Sequence, residues 1–173
     1  IFGAFQCPEC GDEVIIKKGA HVCHHFSHKS YNGCLFGIGE TEVHRRVKTE
    51  IFDYLTAQAQ SGKKIRDIAI EKKISNRRAD VFANINGDSV AFEIQNSLVT
   101  IEEINERTAD YTNKNISTCW IIPEIGEYNR RLAKVPKLHR FLSELYGSLY
   151  VWIGQGRLAH IRFENYRARS GNI

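Results

Sequence analysis

The chain has 173 residues and a mass of 19.8 kDa, which fits one domain of ordinary size, or one domain with a small appendage. Hydrophobic residues make up 42% and charged residues 25% of the chain, so the composition excludes a largely disordered protein. No apolar run approaches the roughly 18 residues that a membrane helix needs, so no membrane association is expected. The start lacks the features of a signal peptide, and Met is absent even at position 1, so we expect a piece of a longer protein.

The charge is segregated along the chain, although the net charge is only +4. Residues 61–79 contain seven basic and two acidic side chains, and residues 125–173 contain nine and three, which gives +5 and +6. Residues 80–124 between them carry two basic and eight acidic side chains, which gives −6. Such runs are typical of solvated helix faces, and they also fit a carboxylate-lined site with basic flanks that hold a polyanion.

The first predicted elements are a small β module and a long helix. Short strands are expected around the Cys7–Cys10 turn, at residues 4–6, 13–17 and 21–26. A helix is expected over residues 40–60, where apolar residues recur with i, i+4 spacing at Val43, Val47, Ile51 and Leu55. Gly62 ends this helix.

Strands and helices alternate in the rest of the chain. The stretch Asn86-Gly87 is a strong hairpin signal between two predicted strands, and Thr100 begins a capping box that opens a helix to about residue 114. The predicted strands are residues 65–74, 78–85, 88–95, 117–122, 148–153 and 157–162, and residues 137–146 form a basic helix. The order of the middle part is helix, three strands, helix and strand, which predicts an α/β fold.

The predicted hairpin places two carboxylates side by side. If Asn86-Gly87 is a two-residue loop, Asp80 lies directly opposite Glu93, and Gln95 follows on the same face. Opposed side chains have Cβ atoms about 5 Å apart, so the two charges repel. A divalent ion such as Mg²⁺ or Mn²⁺ would relieve the repulsion, because such ions prefer oxygen ligands. The alternative is an Asp at a strand end and a half-exposed Glu without a metal.

Two helices contribute further candidate residues. Glu40, His44 and Lys48 form an i, i+4, i+8 column at the edge of the buried face of the first helix, so Glu40 could supply a third carboxylate. An ordinary ion-pair column on a solvated face is the alternative. Arg107 and Tyr111 share a face of the second helix, as a packing pair or as a support for the active cleft.

These residues also carry a resemblance to a known family. The Asp80…Glu93-Ile94-Gln95 pattern looks like the D…E-x-K signature of the PD-(D/E)XK, restriction-endonuclease-like superfamily, with Gln in place of Lys. More closely, the chain resembles the competence protein CoiA-like family. The shared elements, in chain order, are Cys7-Pro8-x-Cys10-Gly11, His25-Phe26-Ser27-His28-Lys29-Ser30 with Cys34, Glu40-Thr41-x-x-His44 with Lys48, Ala79-Asp80-Val81, Glu93-Ile94-Gln95-x-Ser97, and Arg107 with Tyr111.

The resemblance implies a restriction-endonuclease-like core over residues 39–173, preceded by a small zinc-binding β module over residues 1–38. It also implies a metal-dependent nuclease or nuclease-like protein that acts on DNA in competence, recombination or defence, with a recombination protein as a further partner. Asp80 and Glu93, together with Glu40, would hold the catalytic Mg²⁺ or Mn²⁺, and Gln95 would orient the attacking water. The alternatives are a catalytically inactive nucleic-acid-binding or adaptor protein on this fold, and a zinc-stapled protein-interaction module.

The N-terminal cysteines predict a structural Zn²⁺ in a reducing compartment, which we expect to be the cytoplasm. Four of the five cysteines lie within the first 34 residues, whereas a disulfide scaffold would spread them over the domain. Cys7 and Cys10 have the C-x2-C spacing of a metal knuckle. We favour His28 as a third ligand, with either His25 or Cys34 as the fourth. Cys23 is less favoured, because the family pattern does not require it.

Overall fold

A computed structural model describes residues 5–7, 10–18, 25–30, 34, 40–95, 99–123 and 136–163, with only the backbone of His25. The chain divides into two compact units, Ile1–Glu42 and Val43–Ile173. The boundary expected between residues 38 and 39 adjoins a stretch outside the described residues, and it stays a prediction. Within the described parts of the chain, no helix has the length and apolar character needed to cross a membrane.

The first unit contains a three-stranded antiparallel sheet in the order β1-β2-β3. Its strands are β1 (Phe5–Gln6), β2 (Glu13–Lys17) and β3 (His25–His28). The first two strands agree with the prediction, whereas β3 continues two residues past the predicted end at residue 26. This extension pairs His28 with Val14 in the central strand.

The second unit is built on a six-stranded mixed sheet in the order β4-β5-β6-β7-β8-β9. Its elements are α1 (Glu42–Gln60), β4 (Ile65–Ile74), β5 (Arg77–Ile85), β6 (Asp88–Ile94), α2 (Ile101–Thr112), β7 (Ile116–Pro123), α3 (Lys137–Tyr146), β8 (Leu149–Trp152) and β9 (Leu158–Ile161). Strands β4 to β6 form an antiparallel meander, β6, β7 and β8 run parallel, and β9 returns antiparallel. This arrangement confirms the predicted α/β order.

One predicted boundary changes the candidate site. Helix α1 begins at Glu42, so Glu40 precedes the helix instead of lying in its first turn. The predicted column of Glu40, His44 and Lys48 on one helix is therefore wrong at its first member. Only His44 and Lys48 share the helix face.

Apolar stripes attach the helices to the sheet. Val47, Ile51 and Leu55 of α1 are buried and cluster with Val81 and Ile94 of the sheet, as the i, i+4 spacing predicted. On α2, the Thr100 hydroxyl accepts a hydrogen bond from the backbone N–H of Glu103 at 3.1 Å, so the predicted cap is present. Trp120 and Trp152 are both buried in the core. These contacts place α1 and α2 against the central strands.

Candidate active site and metal centre

The Asn86-Gly87 turn sets the register of the central hairpin. Asn86 and Gly87 have φ values of 57° and 107°, the left-handed conformations that a two-residue turn of this kind requires. Pairing is regular from Ile85↔Asp88 to Val81↔Phe92, which confirms the predicted register over this stretch. The ladder ends there, one pair before Asp80 and Glu93.

Asp80 lies where the ladder breaks, and its carboxylate replaces the missing backbone pair. Its Oδ2 atom accepts a hydrogen bond from the backbone N–H of Ile94 at 2.8 Å. The same oxygen lies 3.1 Å from Nε2 of His44 on α1. Two donors from different elements therefore fix the position of this carboxylate.

A local irregularity explains why Asp80 faces α1. Val81 belongs to the core cluster with α1, whereas Ala79 belongs to the cluster with Tyr111 of α2. Strict alternation would put both on one face of the strand. On the neighbouring strand, Glu71 is level with Asp80 and has a φ of 55°, a conformation that interrupts a regular strand. The interruption lets two successive positions of β5 face the same helix.

Glu93 is held from the other helix. Only 1% of this residue is exposed. Tyr111 donates its hydroxyl to Oε1 at 2.6 Å, and Arg107 donates from Nη1 to Oε2 at 2.8 Å. The i, i+4 pair of α2 thus contacts both carboxylate oxygens, so Arg107 and Tyr111 do more than pack against each other. The half-exposed Glu considered as an alternative is not what the structure shows.

The two carboxylates affect each other electrostatically. The pKa of Glu93 is raised to about 7, chiefly by burial and then by the charge of Asp80, while Arg107, the Tyr111 hydrogen bond and His44 oppose the rise. Burial and the nearby Glu93 also raise the pKa of Tyr111 above its ordinary value, so the hydroxyl stays a donor. A cation between the carboxylates would therefore favour their ionised forms.

Gln95 and Glu40 both lie just outside the regular elements, Gln95 after β6 and Glu40 before α1. Gln95 follows β6 directly, and its backbone N–H donates to the carbonyl oxygen of Ile121 at 2.8 Å, which fixes the chain two residues beyond Glu93. Glu40 belongs to the first compact unit. Its role as a third carboxylate stays a prediction.

Lys48 meets a residue that sequence analysis did not single out. Its Nζ forms a close ion pair with Glu71 of β4, although only 5% of Lys48 is exposed. Arg78 Nε lies 3.9 Å from the other oxygen of Glu71. The signal for this residue is the register of β4 and β5. Ile74 pairs with Arg77, and the same register puts Glu71 level with Asp80.

The carboxylate oxygens of Asp80 and Glu93 suit a hard divalent ion, since such oxygens are its preferred ligands. Within the described residues, however, the only cluster of three or more metal-ligating groups is the N-terminal one of Cys7, Cys10, His28 and Cys34. Water and phosphate oxygens would have to complete the coordination of Mg²⁺, as is usual for this ion.

The N-terminal cluster consists of Cys7, Cys10, His28 and Cys34, whose ligand atoms all lie within 4.8 Å of one another. Cys7 Sγ is 4.0 Å from Cys34 Sγ, and Cys10 Sγ is 3.2 Å from His28 Nε2. With Zn–S bonds of about 2.3 Å, tetrahedral ligand atoms are separated by about 3.8 Å. Three thiols and one imidazole at these distances fit a structural Zn²⁺ site with four protein ligands.

The knuckle turn and the sheet assemble this cluster. The backbone N–H of Gly11 donates to the Cys7 carbonyl at 2.9 Å, and its φ of 77° permits the tight turn after Cys10. The structure selects Cys34 as the fourth member, which was one of the two ligands left open. The side chain of His25, the other candidate, lies outside the described residues, and so does Cys23.

We predict one tightly bound Zn²⁺ per chain. Cys34→Ser should lose the ion, because a hydroxyl is a much weaker zinc ligand than a thiolate, and the first unit should then unfold. Metal analysis after purification without added zinc, together with circular dichroism, measures both effects. Cys119→Ser is the matched control, because Cys119 lies in β7 and outside the cluster, and it should retain full zinc content. A Cys34→Ser protein with a full complement of zinc would contradict the assignment.

We also predict a pH signature from Glu93 in buffer without divalent ions. The folded state keeps this proton up to about pH 7, whereas the ordinary pKa is 4.5, so the folded state binds more protons between these values. The stabilising contribution of Glu93 is therefore present at lower pH and lost as the pH rises through about 7. Glu93→Gln removes this titration, so the stability of the variant relative to wild type should increase with pH.

Urea unfolding at several pH values between 4.5 and 8 measures that difference. Glu102→Gln, at an exposed position of α2, controls for the general loss of a carboxylate. Parallel pH profiles of wild type and Glu93→Gln would show that the prediction is wrong.

Comparisons with known proteins agree with the two-unit organisation. Residues 40–154 match the family model described as "Competence protein CoiA, nuclease-like domain", and residues 3–37 match "Competence protein CoiA, N-terminal domain". The chain is 30% identical over 121 residues to "Competence protein CoiA" of Bacillus subtilis (strain 168), a match that covers 68% of this chain. The match covers 31% of the length of the Bacillus subtilis protein.

One solved structure, an XisH family protein from Nostoc punctiforme PCC 73102, is similar over 65% of this chain and 99% of its own length. Its sequence identity of 9% and TM-score of 0.35 are too low to support any argument. The nuclease-like domain model alone spans more than half of the chain, and its description implies the PD-(D/E)XK superfamily. The chain therefore belongs to the competence protein CoiA family, with a nuclease-like α/β domain and the N-terminal domain of that family.

Proposed function

We propose that the protein is a metal-dependent nuclease that processes DNA in the cytoplasm during competence, recombination or defence. The observation that carries this proposal is that Asp80 accepts a hydrogen bond from the backbone next to Glu93, at the open end of the β5–β6 hairpin, and that its charge raises the pKa of Glu93. Two helices hold these carboxylates in place, α1 through His44 and α2 through Arg107 and Tyr111. A buried carboxylate with a second carboxylate nearby is costly for stability, and such a cost is usual at functional sites.

Each residue has a separate task in this proposal. Asp80 and Glu93 offer carboxylate oxygens to Mg²⁺ or Mn²⁺, and Glu40 is a further candidate ligand. When bound, the ion polarises the scissile phosphate and lowers the pKa of a water molecule. His44 and the backbone N–H of Ile94 keep Asp80 in position. Tyr111 and Arg107 do the same for Glu93.

Gln95 would orient the attacking water. Its amide can both donate and accept hydrogen bonds, so it can hold a water molecule in a defined direction. The bond between the backbone of Gln95 and Ile121 keeps this position close to Glu93. The amide carries no charge, and it cannot replace the electrostatic effect of the Lys that the wider superfamily has there.

We expect cleavage of DNA to require Mg²⁺ or Mn²⁺. Asp80→Asn and Glu93→Gln should each reduce the rate at least about a hundredfold, because each keeps the shape and removes an anionic ligand. Asp88→Asn in the same hairpin is the matched control, because Asp88 is exposed beside the turn, and it should cleave normally. The assay measures the cleavage of labelled single- and double-stranded DNA, with RNA for comparison, with and without added ion.

Basic side chains on and directly before the edge strand β4 support a nucleic acid as the ligand. Strand β4 is an edge strand of the described sheet, and Lys63, Lys64 and Lys73 are exposed on or directly before it. Their charges would contact the phosphate backbone without selecting a sequence. A recombination protein remains a further proposed partner, and it would bind in addition to the DNA.

Replacing Lys63, Lys64 and Lys73 by Glu should weaken the binding of all DNA sequences alike. Each lost phosphate contact should lower the slope of log affinity against log salt concentration by about 0.9. Fluorescence anisotropy at several salt concentrations measures this slope. Asn105→Glu and Ala109→Glu, at exposed positions of α2, which packs against β7, introduce acidic charge away from β4 as a control. A wild-type affinity that is insensitive to salt would argue against a nucleic-acid ligand.

The second candidate is a catalytically inactive nucleic-acid-binding or adaptor protein. It is favoured by the uncharged Gln95 and by the hydrogen bonds that already engage both oxygens of Glu93. Calorimetry with Mn²⁺ discriminates between the two candidates. An inactive descendant need not bind the ion, whereas Asp80→Asn should abolish binding by an active enzyme.

A further inference from the structure

The candidate site lacks a positively charged side chain at position 95, where the residue is Gln. Phosphodiester cleavage places negative charge on the phosphate oxygens, and active sites stabilise this charge with cations or preorganised donors. Asp80 and Glu93 are both acidic, and the side chain at position 95 is a neutral amide. A second positive group besides the metal ion would have to come from another element.

Arg107 on α2 lies where it can supply this positive charge. Its Nη1 donates to Glu93 Oε2 at 2.8 Å, so the guanidinium is directly beside a carboxylate proposed to bind the metal ion. Its side chain keeps 28% of its surface exposed, in contrast to the buried Glu93. A side chain that is fixed by Glu93 and partly exposed can thus contact a ligand at the site.

The hydrogen bonds of Arg107 are incomplete among the described residues. A guanidinium has five N–H donors, and native structures satisfy nearly all buried polar groups. The Nε atom of Arg107 is nonetheless buried without a hydrogen-bond partner in the described part of the chain. A buried N–H group without a partner indicates that a hydrogen-bond acceptor occupies this position. The acceptor is the oxygen of a water molecule or of a ligand.

We propose that Arg107 is a catalytic residue that binds a non-bridging oxygen of the scissile phosphate and supplies the positive charge that Gln95 lacks. This inference rests on the proposed nuclease function. The planar guanidinium suits the task, because it can bond a carboxylate and a phosphate at the same time through different N–H groups. Tyr111 contacts the other oxygen of Glu93 and carries no charge, so it can only position that carboxylate.

This difference between Arg107 and Tyr111 provides a test. Arg107→Met and Tyr111→Phe each remove one hydrogen bond to Glu93, and each is made with and without Gln95→Lys. We expect Arg107→Met to cleave DNA at least about a hundredfold more slowly than wild type. Adding Gln95→Lys should restore at least about tenfold, because it returns a cation to the site. The same addition should not rescue Tyr111→Phe, which loses positioning and no charge.

Equal losses in both variants without rescue of either would overturn the proposal, because Arg107 would then only position Glu93. Circular dichroism and thermal unfolding check that each variant folds. If Arg107→Met does not fold, Arg107→Gln replaces it, since its amide can still donate to Glu93 but carries no charge. Cleavage by folded Arg107→Gln at least about tenfold slower than wild type supports the proposal. Cleavage by that folded variant at the wild-type rate contradicts it.

A measurement of DNA binding without cleavage tests the role of Arg107 independently of the nuclease proposal. With Ca²⁺ in place of Mg²⁺, Arg107→Met should lower the slope of log affinity against log salt concentration by about one relative to wild type, and Tyr111→Phe should not change it. If wild type cleaves nothing, the nuclease proposal fails, and the slope alone decides whether Arg107 contacts phosphate. An unchanged slope in Arg107→Met overturns the inference in either case.

Discussion

Glu93 carries a carboxylate into the interior of the larger unit, where water cannot solvate its charge. A buried charge is stable only when protein groups replace the lost water, and removing one partner of such a pair is strongly destabilising. Arg107 and Tyr111 replace that water, one at each oxygen. Their spacing of four residues requires α2 to pack with this one face against β6. The position of the helix is thus coupled to the ionisation of a single side chain.

The second carboxylate is held by different means. Asp80 is only half-buried, and its partners are the backbone of β6 and His44 of α1. The irregularity at Glu71 and Asp80 makes this possible, because it turns successive side chains of β5 towards α1. The two helices therefore approach the pair from the two faces of the sheet, and neither carboxylate depends on the other for its hydrogen bonds.

The two units obtain their stability in different ways. The larger unit has apolar clusters between the helices and the sheet, of which the one around Val47 and Ile51 is an example. The smaller unit has few buried apolar residues among those described, and Phe26 is 56% exposed. A small module with so little apolar core needs a cross-link, and the cluster around Cys7 can provide it through a metal ion. Removal of the metal and mutation of the carboxylates should therefore affect different parts of the chain.

The sequence by itself determined the local structure and the identity of the chemical groups. Asn86-Gly87 fixed the hairpin register, Thr100 fixed the start of α2, and the spacing of Cys7 and Cys10 marked the metal knuckle. These features follow from short-range conformational preferences, which act between residues close in sequence.

Only the tertiary structure decided which distant groups meet. It showed that α1 begins after Glu40, that Lys48 pairs with Glu71, and that Cys34 joins the cluster of Cys7, Cys10 and His28. It also placed Asp80 towards α1, where strict strand alternation had predicted it beside Glu93 on one face. These outcomes depend on packing between elements and on a backbone irregularity with no glycine to signal it, and neither leaves a periodic trace in the sequence.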